Sequence, residues 1–145
     1  MYRYLIIVIP IIALLGFVFK NTMDPNPWTT KETISPENLS SIIKDNDHLN
    51  DPFILNIGPS GAIKGSTKIG SVDNAKGVKL LTNRLKNLPK DKMLVVYCGC
   101  CPYEHCPNIR PAFTILQKQG FTNKRLLDLP VNLKVDWIDK GFPMQ

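Results

Sequence analysis

The chain has 145 residues, 43% of them hydrophobic and 21% charged, and 18 Lys and Arg against 12 Asp and Glu leave a net charge of +6. That length suits one domain with a modest core, and the composition excludes a disordered or fibrous chain. The basic residues are scattered, with no aromatic interleaving, so they read as a solvated surface and exclude a nucleic-acid footprint.

The first element is YLIIVIPIIALLGFVF, residues 4–19, an apolar run between Arg3 and Lys20. It approaches the length of a membrane span and exceeds most signal-peptide cores. The stretch GFVFKNTMD that follows is bulky where a signal peptidase needs small side chains. Residues 1–20 are therefore expected to be a signal anchor that meets the membrane through residues 4–19, with a cleaved signal peptide as the alternative and a buried core helix as the third reading. The anchor places the remaining chain outside the cytoplasm, periplasmic or extracellular, and cleavage would leave it secreted. Residues 21–30, NTMDPNPWTT, are polar with two prolines and read as a linker. The domain then occupies residues 31–145.

Within it, ISPENLSSIIKD (34–45) predicts a helix, with Ser35 as N-cap, Pro36 at the first position and Leu39, Ile42 and Ile43 on one face. PFILNIG (52–58) predicts a buried strand, and GSTKIGSV (65–72) a second short one. Asp73 is placed to cap a helix through Leu88, with Val78, Leu81, Leu85 and Leu88 inward. KMLVVYC (92–98) is the strongest strand pattern and ends on Cys98. Pro111 opens a helix that Gly120 closes in the left-handed conformation. KRLLDLP (124–130) predicts another strand, and VDWIDKG (135–141) a last helical turn or two. Strands alternating with helices predict an α/β fold, a parallel sheet flanked by helices on both faces. Ligands in such sheets bind beyond the carboxyl ends of the strands, where Cys98 falls.

All four cysteines, Cys98, Cys100, Cys101 and Cys106, lie in VVYCGCCPYEHCPNIRPA, residues 95–112. Three chemistries fit such a cluster. In an oxidising compartment Cys101 and Cys106 could close a disulfide across the loop. Cys98, Cys100, Cys101, His105 and Cys106 offer soft or borderline donors for Zn²⁺ or Cu⁺, although the spacing is not that of a zinc ribbon. Cys98 with Cys100 or Cys101 could also act as an attacking and a resolving thiol. Of the two histidines, His48 sits in the polar stretch DNDHLND and reads as solvated, and His105 as a loop surface residue. Trp137 and Phe142 read as core residues that close the domain.

The strand ending VVYC, the helix ending Gly120-Phe121, the Leu127-Asp128-Leu129 that follows and the closing DWIDKGFP resemble the rhodanese-like sulfurtransferases. Ile34-Ser-Pro-Glu-Asn-Leu39 is similar to the helix that opens that domain, and the resemblance covers about residues 30–145. It implies a rhodanese-like parallel sheet and an enzyme that moves sulfur from a small sulfane-sulfur donor to a thiophilic acceptor, with no cofactor. It also implies Cys98 as the nucleophile that carries the persulfide. The backbone amides of residues 99–106 would be the anion cradle, and Arg110 would assist with an anionic donor. The chain departs from the family in three places. Its loop from Cys98 to the helix is longer, and alignment from the helix backwards puts Tyr103 at the nucleophile's place. Asn56-Ile-Gly58 stands where the family has Asp-Val-Arg, and Gly65-Ser-Thr-Lys-Ile-Gly70 only echoes its Gly-His-Ile-Pro-Gly-Ala. The implied activity is a thiosulfate sulfurtransferase-like one. The alternative is a non-catalytic module of the same fold whose cysteine loop binds Zn or Cu or exchanges disulfides.

Overall fold

The computed structural model describes residues 28–45 and 51–145. The apolar run 4–19, most of the linker and His48 lie outside the described residues. Among the described residues, no helix is long and apolar enough to cross a membrane. Trp28, at the end of the linker, packs its ring 4.5 Å from that of Phe113.

Five short strands form one parallel sheet: β1 (Thr33–Ile34), β2 (Phe53–Asn56), β3 (Ser66–Lys68), β4 (Leu94–Tyr97) and β5 (Lys124–Leu127), in the order β1-β5-β4-β2-β3. Helices α1 (Pro36–Lys44), α2 (Ala75–Leu85) and α3 (Ile109–Lys118) connect them. β4 is flanked on both sides by neighbours and buried on both faces, which is why its sequence is a continuous apolar run. Strand alternation sorts its side chains. Leu94 and Val96 enter one core with Leu81 and Leu85 of α2 and Ile109, Ala112, Phe113 and Leu116 of α3. Val95 and Tyr97 enter the opposite core with Leu39 of α1, Leu133 and Trp137. Cys98 continues the first set and is buried against α2 and α3.

Local signals set most of the boundaries. Ser35 Oγ accepts from the Asn38 amide at 3.2 Å with Pro36 at the first position of α1, as expected. The cap of α2 is Asn74 rather than Asp73: Asn74 Oδ1 accepts from Gly77 N at 3.0 Å, while the Asp73 amide is held by Asn108 Oδ1 at 3.1 Å. α2 ends at Leu85, one turn short of Leu88. α3 begins at Ile109, two residues before Pro111, because a proline in the first turn removes an amide that has no helical partner anyway. Its end is a Schellman motif, with Phe121 N to Leu116 O at 3.1 Å and Gly120 N to Gln117 O at 3.0 Å across Gly120 at φ +79°. β3 is confined to three residues: after its last rung, Ile69 N to Asn56 O at 2.8 Å, the chain turns at Gly70, φ +87°. The last helical turn is a π-type turn, Lys134–Ile138. Trp137 is fully buried there, its Nε1 donating to Pro143 O at 3.1 Å, and Phe142 packs edge-on to it at 5.2 Å.

Tyr97 ties the end of β4 to the loop after β2. Its hydroxyl donates to Gly61 O at 3.0 Å and accepts from Ile63 N at 3.0 Å, with Ser66 Oγ at 3.2 Å. Burial pushes the phenol above its ordinary value, so it stays protonated and keeps donating. Replacement by Phe strands a buried amide and a carbonyl, and Tyr97→Phe is expected to lose about 1–3 kcal/mol in urea unfolding. An unchanged midpoint would mean that the hydroxyl does not hold this loop.

Candidate functional site

The carboxyl edge of the sheet is shaped by two loops. After β2, Asn56 folds the chain back on itself: its Nδ2 donates to Ser60 O at 2.9 Å and Gly61 O at 3.1 Å, and its Oδ1 accepts from Gly58 N at 3.0 Å. Gly58 is required by packing, since a Cβ there would fall on the Sγ and carbonyl of Cys98. After β4, Gly99 takes φ +76°, and a Cβ on it would press on Leu133 and Ser60. This left-handed glycine reverses the chain between Cys98 and Cys100.

The strand pattern places Cys98 at the sheet edge as expected, immediately after β4 rather than as its last residue. Cys100 Sγ lies 3.3 Å from Cys98 Sγ, and Cys101 Sγ lies 3.4 Å from Cys100 Sγ. A single turn of 3-10 helix, Tyr103–His105, then brings Cys106 back under the cluster. The sulfurs of Cys98, Cys100 and Cys106 all fall within 4.8 Å of one another, close enough to share one soft metal ion. Cys101 and His105 are not in that set. All four cysteines are free thiols: Cys98 and Cys106 are buried at 2% and 3% exposure, whereas Cys100 is exposed.

Asn108, itself buried, joins the cluster to the start of α2. Its Oδ1 accepts from Ser71 Oγ at 2.9 Å, Val72 N at 2.8 Å and Asp73 N at 3.1 Å. Its Nδ2 donates to Cys98 Sγ at 3.4 Å and reaches to 4.0 Å from Cys106 Sγ.

Of the cysteines, Cys106 is the one drawn toward the charged form. The Cys98 thiol beside it and the amides of Asn108 and Ile109 at the start of α3 together overcome burial and draw Cys106 down to about 6. Cys98 moves the opposite way: its bond to Cys106, then burial, hold its proton on far above the ordinary thiol range. Burial, then Cys100, raise Cys101 to about 12. The Cys100 amide favours a charged Cys98, and the amides of Asn108 and Ile109 favour a charged Cys106. Arg110 is exposed on the first turn of α3. A shallow pocket of about 260 Å³ opens beside the cluster, between Ser60, Gly99, Cys100, Leu133 and Ile138, and Cys100 is the one thiol that lines it.

Sequence reasoning passed over Asn108 and Tyr97 as site-shaping residues. The Cys-Pro-Asn before the helix was the available signal, since Asn is a frequent residue at helix starts. It was masked by placing the helix start at Pro111.

No family model matches the chain, and no curated protein does. Among solved structures the chain is similar to the crystal structure of reduced Bacillus anthracis CoADR-RHD, at 16% identity and a TM-score of 0.47. The match covers 79% of this chain and 18% of that one, so the chain spans under a fifth of its length.

Cys106 titrates in the folded chain near 6, against an ordinary 9.0. A lowered folded value contributes stability that is complete above the unfolded value and is lost as pH falls through the folded one. Cys98, with its raised value, contributes below 9.0 and loses that contribution as pH rises further. The stability difference between wild type and Cys106→Ser is therefore expected to grow from pH 6 to pH 9. Denaturant unfolding across that range reads it, and a flat difference would mean that Cys106 is not the thiolate.

Proposed function

We propose that this domain is a rhodanese-like sulfurtransferase that carries a persulfide on Cys98, with Cys106 beside it sharing one negative charge. The observation that carries the reading is the position of Cys98 just past β4 at the carboxyl edge of the sheet, its sulfur within 4.8 Å of those of Cys100 and Cys106. The pair titrates as a unit. In the form of the pair that carries the charge on Cys98, that sulfur is the nucleophile and attacks the outer sulfur of a small sulfane donor such as thiosulfate. The S–S bond of the donor breaks, sulfite leaves with the electron pair, and Cys98 keeps one added sulfur. Asn108 Nδ2, 3.4 Å from Cys98 Sγ, donates to the charged forms of that sulfur. The β4–Cys98–α3 arrangement at the carboxyl edge of a parallel sheet agrees with the sequence resemblance, and Arg110 on α3 is the cation nearest in sequence for an anionic donor.

A second reading has its own support. Three sulfurs within 4.8 Å need draw in by only about 1 Å or less to surround one ion tetrahedrally at the roughly 2.3 Å Zn–S bond length. On this reading the domain binds Zn²⁺ or Cu⁺ through Cys98, Cys100 and Cys106, without turnover.

One experiment separates the two. The purified domain is treated with thiosulfate, and its mass and cyanide-dependent thiocyanate formation are followed, with and without one equivalent of Zn²⁺. The sulfurtransferase forms thiocyanate in the metal-free state, with one sulfur atom gained on Cys98 before it is passed on, and Cys98→Ser does neither. Absence of both in the wild type, together with protection of three thiols by Zn²⁺, would favour the metal module.

The apolar run at residues 4–19 supports the further reading that the domain is tethered to a membrane and faces the outside of the cytoplasm. The full chain is then expected to resist extraction at alkaline pH, with its domain open to protease added to intact cells. Release into the soluble fraction at the full-length mass would remove the anchor, and at a mass shortened by about 2 kDa would favour signal cleavage.

A further inference from the structure

A persulfide on Cys98 would lie on a residue at 2% exposure, where a bulky thiol acceptor has less access than a small anion such as thiosulfate or cyanide. The nearest group able to take part is Cys100, whose sulfur is 3.3 Å away. Cys100 is exposed and is also the one thiol that lines the pocket between Ser60, Leu133 and Ile138. Gly99 sets this pairing. At φ +76° it turns the chain so that residues two apart, which a strand would also put on one face but further apart, bring their sulfurs nearly into contact. No side chain fits at that position, because a Cβ would meet Leu133 and Ser60 at 2.8 and 3.1 Å.

We propose that Cys100 is a resolving thiol, so that the sulfur leaves the domain as hydrosulfide rather than by direct transfer to an acceptor. This rests on the persulfide reading above. In the step, Cys100 Sγ attacks Cys98 Sγ of the persulfide anion. The bond from Cys98 Sγ to the sulfane sulfur breaks, and a Cys98–Cys100 disulfide forms. The departing sulfur takes the electron pair and the Cys100 proton and leaves as HS⁻. Two thiols are oxidised by two electrons, and the sulfane sulfur is reduced to sulfide by the same two. A dithiol reductant then attacks the disulfide from the pocket at Cys100 and restores both thiols. The Cys98-Gly99-Cys100 disulfide closes a small ring, and tight disulfides are the readily reduced ones. The domain is thus a dithiol-dependent reductase of sulfane sulfur.

The test uses the reduced full domain with thiosulfate and no cyanide. Wild type is expected to release one equivalent of sulfide in a single burst, to end two hydrogens lighter, and to turn over repeatedly once dithiothreitol is added. Peptide mapping of the burst product is expected to join Cys98 to Cys100. Cys100→Ser is expected to stop one sulfur atom heavier on Cys98, with sulfide release at least tenfold slower, and still to form thiocyanate with cyanide. Cys101→Ser is expected to behave as wild type. The proposal fails if Cys100→Ser releases sulfide as fast as wild type, or if the burst disulfide joins Cys98 to Cys106. It also fails if wild type keeps the added sulfur without releasing sulfide. Loss of the added sulfur in every variant, wild type included, would instead overturn the persulfide reading itself.

Discussion

The buried amide of Asn108 is the interaction on which the sheet edge depends. One side of it accepts from the residues that lead into α2, and the other donates to the sulfur of Cys98. The backbone amide of Val72 has its bond to Asn108 in a buried place, where leaving such a group unpaired costs about 1–3 kcal/mol, and the Asp73 amide shares the same acceptor nearer the surface. The same amide is at the start of α3, so one residue sets the distance between two helices and the orientation of the thiols between them. Gly77 belongs to this arrangement, because a Cβ there would fall on the Ser71 carbonyl and push that loop away from Asn108.

Around this link, the chain keeps three sulfurs close without closing them into disulfides. Such a cluster would ordinarily be costly, since a buried negative charge needs compensation. Here it comes from neighbouring dipoles: the Cys98 thiol and the two amides at the start of α3. The arrangement makes the two buried thiols unequal. Cys98 keeps its proton and Cys106 gives up its own first, a difference that follows from which of them the helix amides reach. Cys100 stands apart from both because it faces solvent.

Much of the fold was legible in the sequence. The apolar run of β4, the Ser35-Pro36 cap and Gly120 at the end of α3 each act through a few neighbouring residues, so pattern reading found them. The boundaries that moved were set by distant partners. Asp73 lost the cap of α2 to Asn74 because Asn108, far along the chain, holds its amide. β3 stops at Lys68 because the chain turns at Gly70, where both Ile69 N and Gly70 N bond to Asn56 O at the end of β2. Asn56 and Gly58 read as strand-end residues, and their roles appear only once the loop they fold and the sulfur they make room for are in place.

By itself, the sequence determined that strands alternate with helices, that residues 92–98 are the strongest strand, and that every thiol lies at or just past its end. These follow from short-range periodicity and from the covalent order of the chain. Only the tertiary structure decided which thiols meet, which one carries the charge and which one faces solvent. Hydrogen bonding and burial depend on atoms brought together by packing: Cys98 and Cys106 are separated by a loop whose path is set by Gly99, Asn108 and the start of α3. Spacing along the chain cannot specify that path.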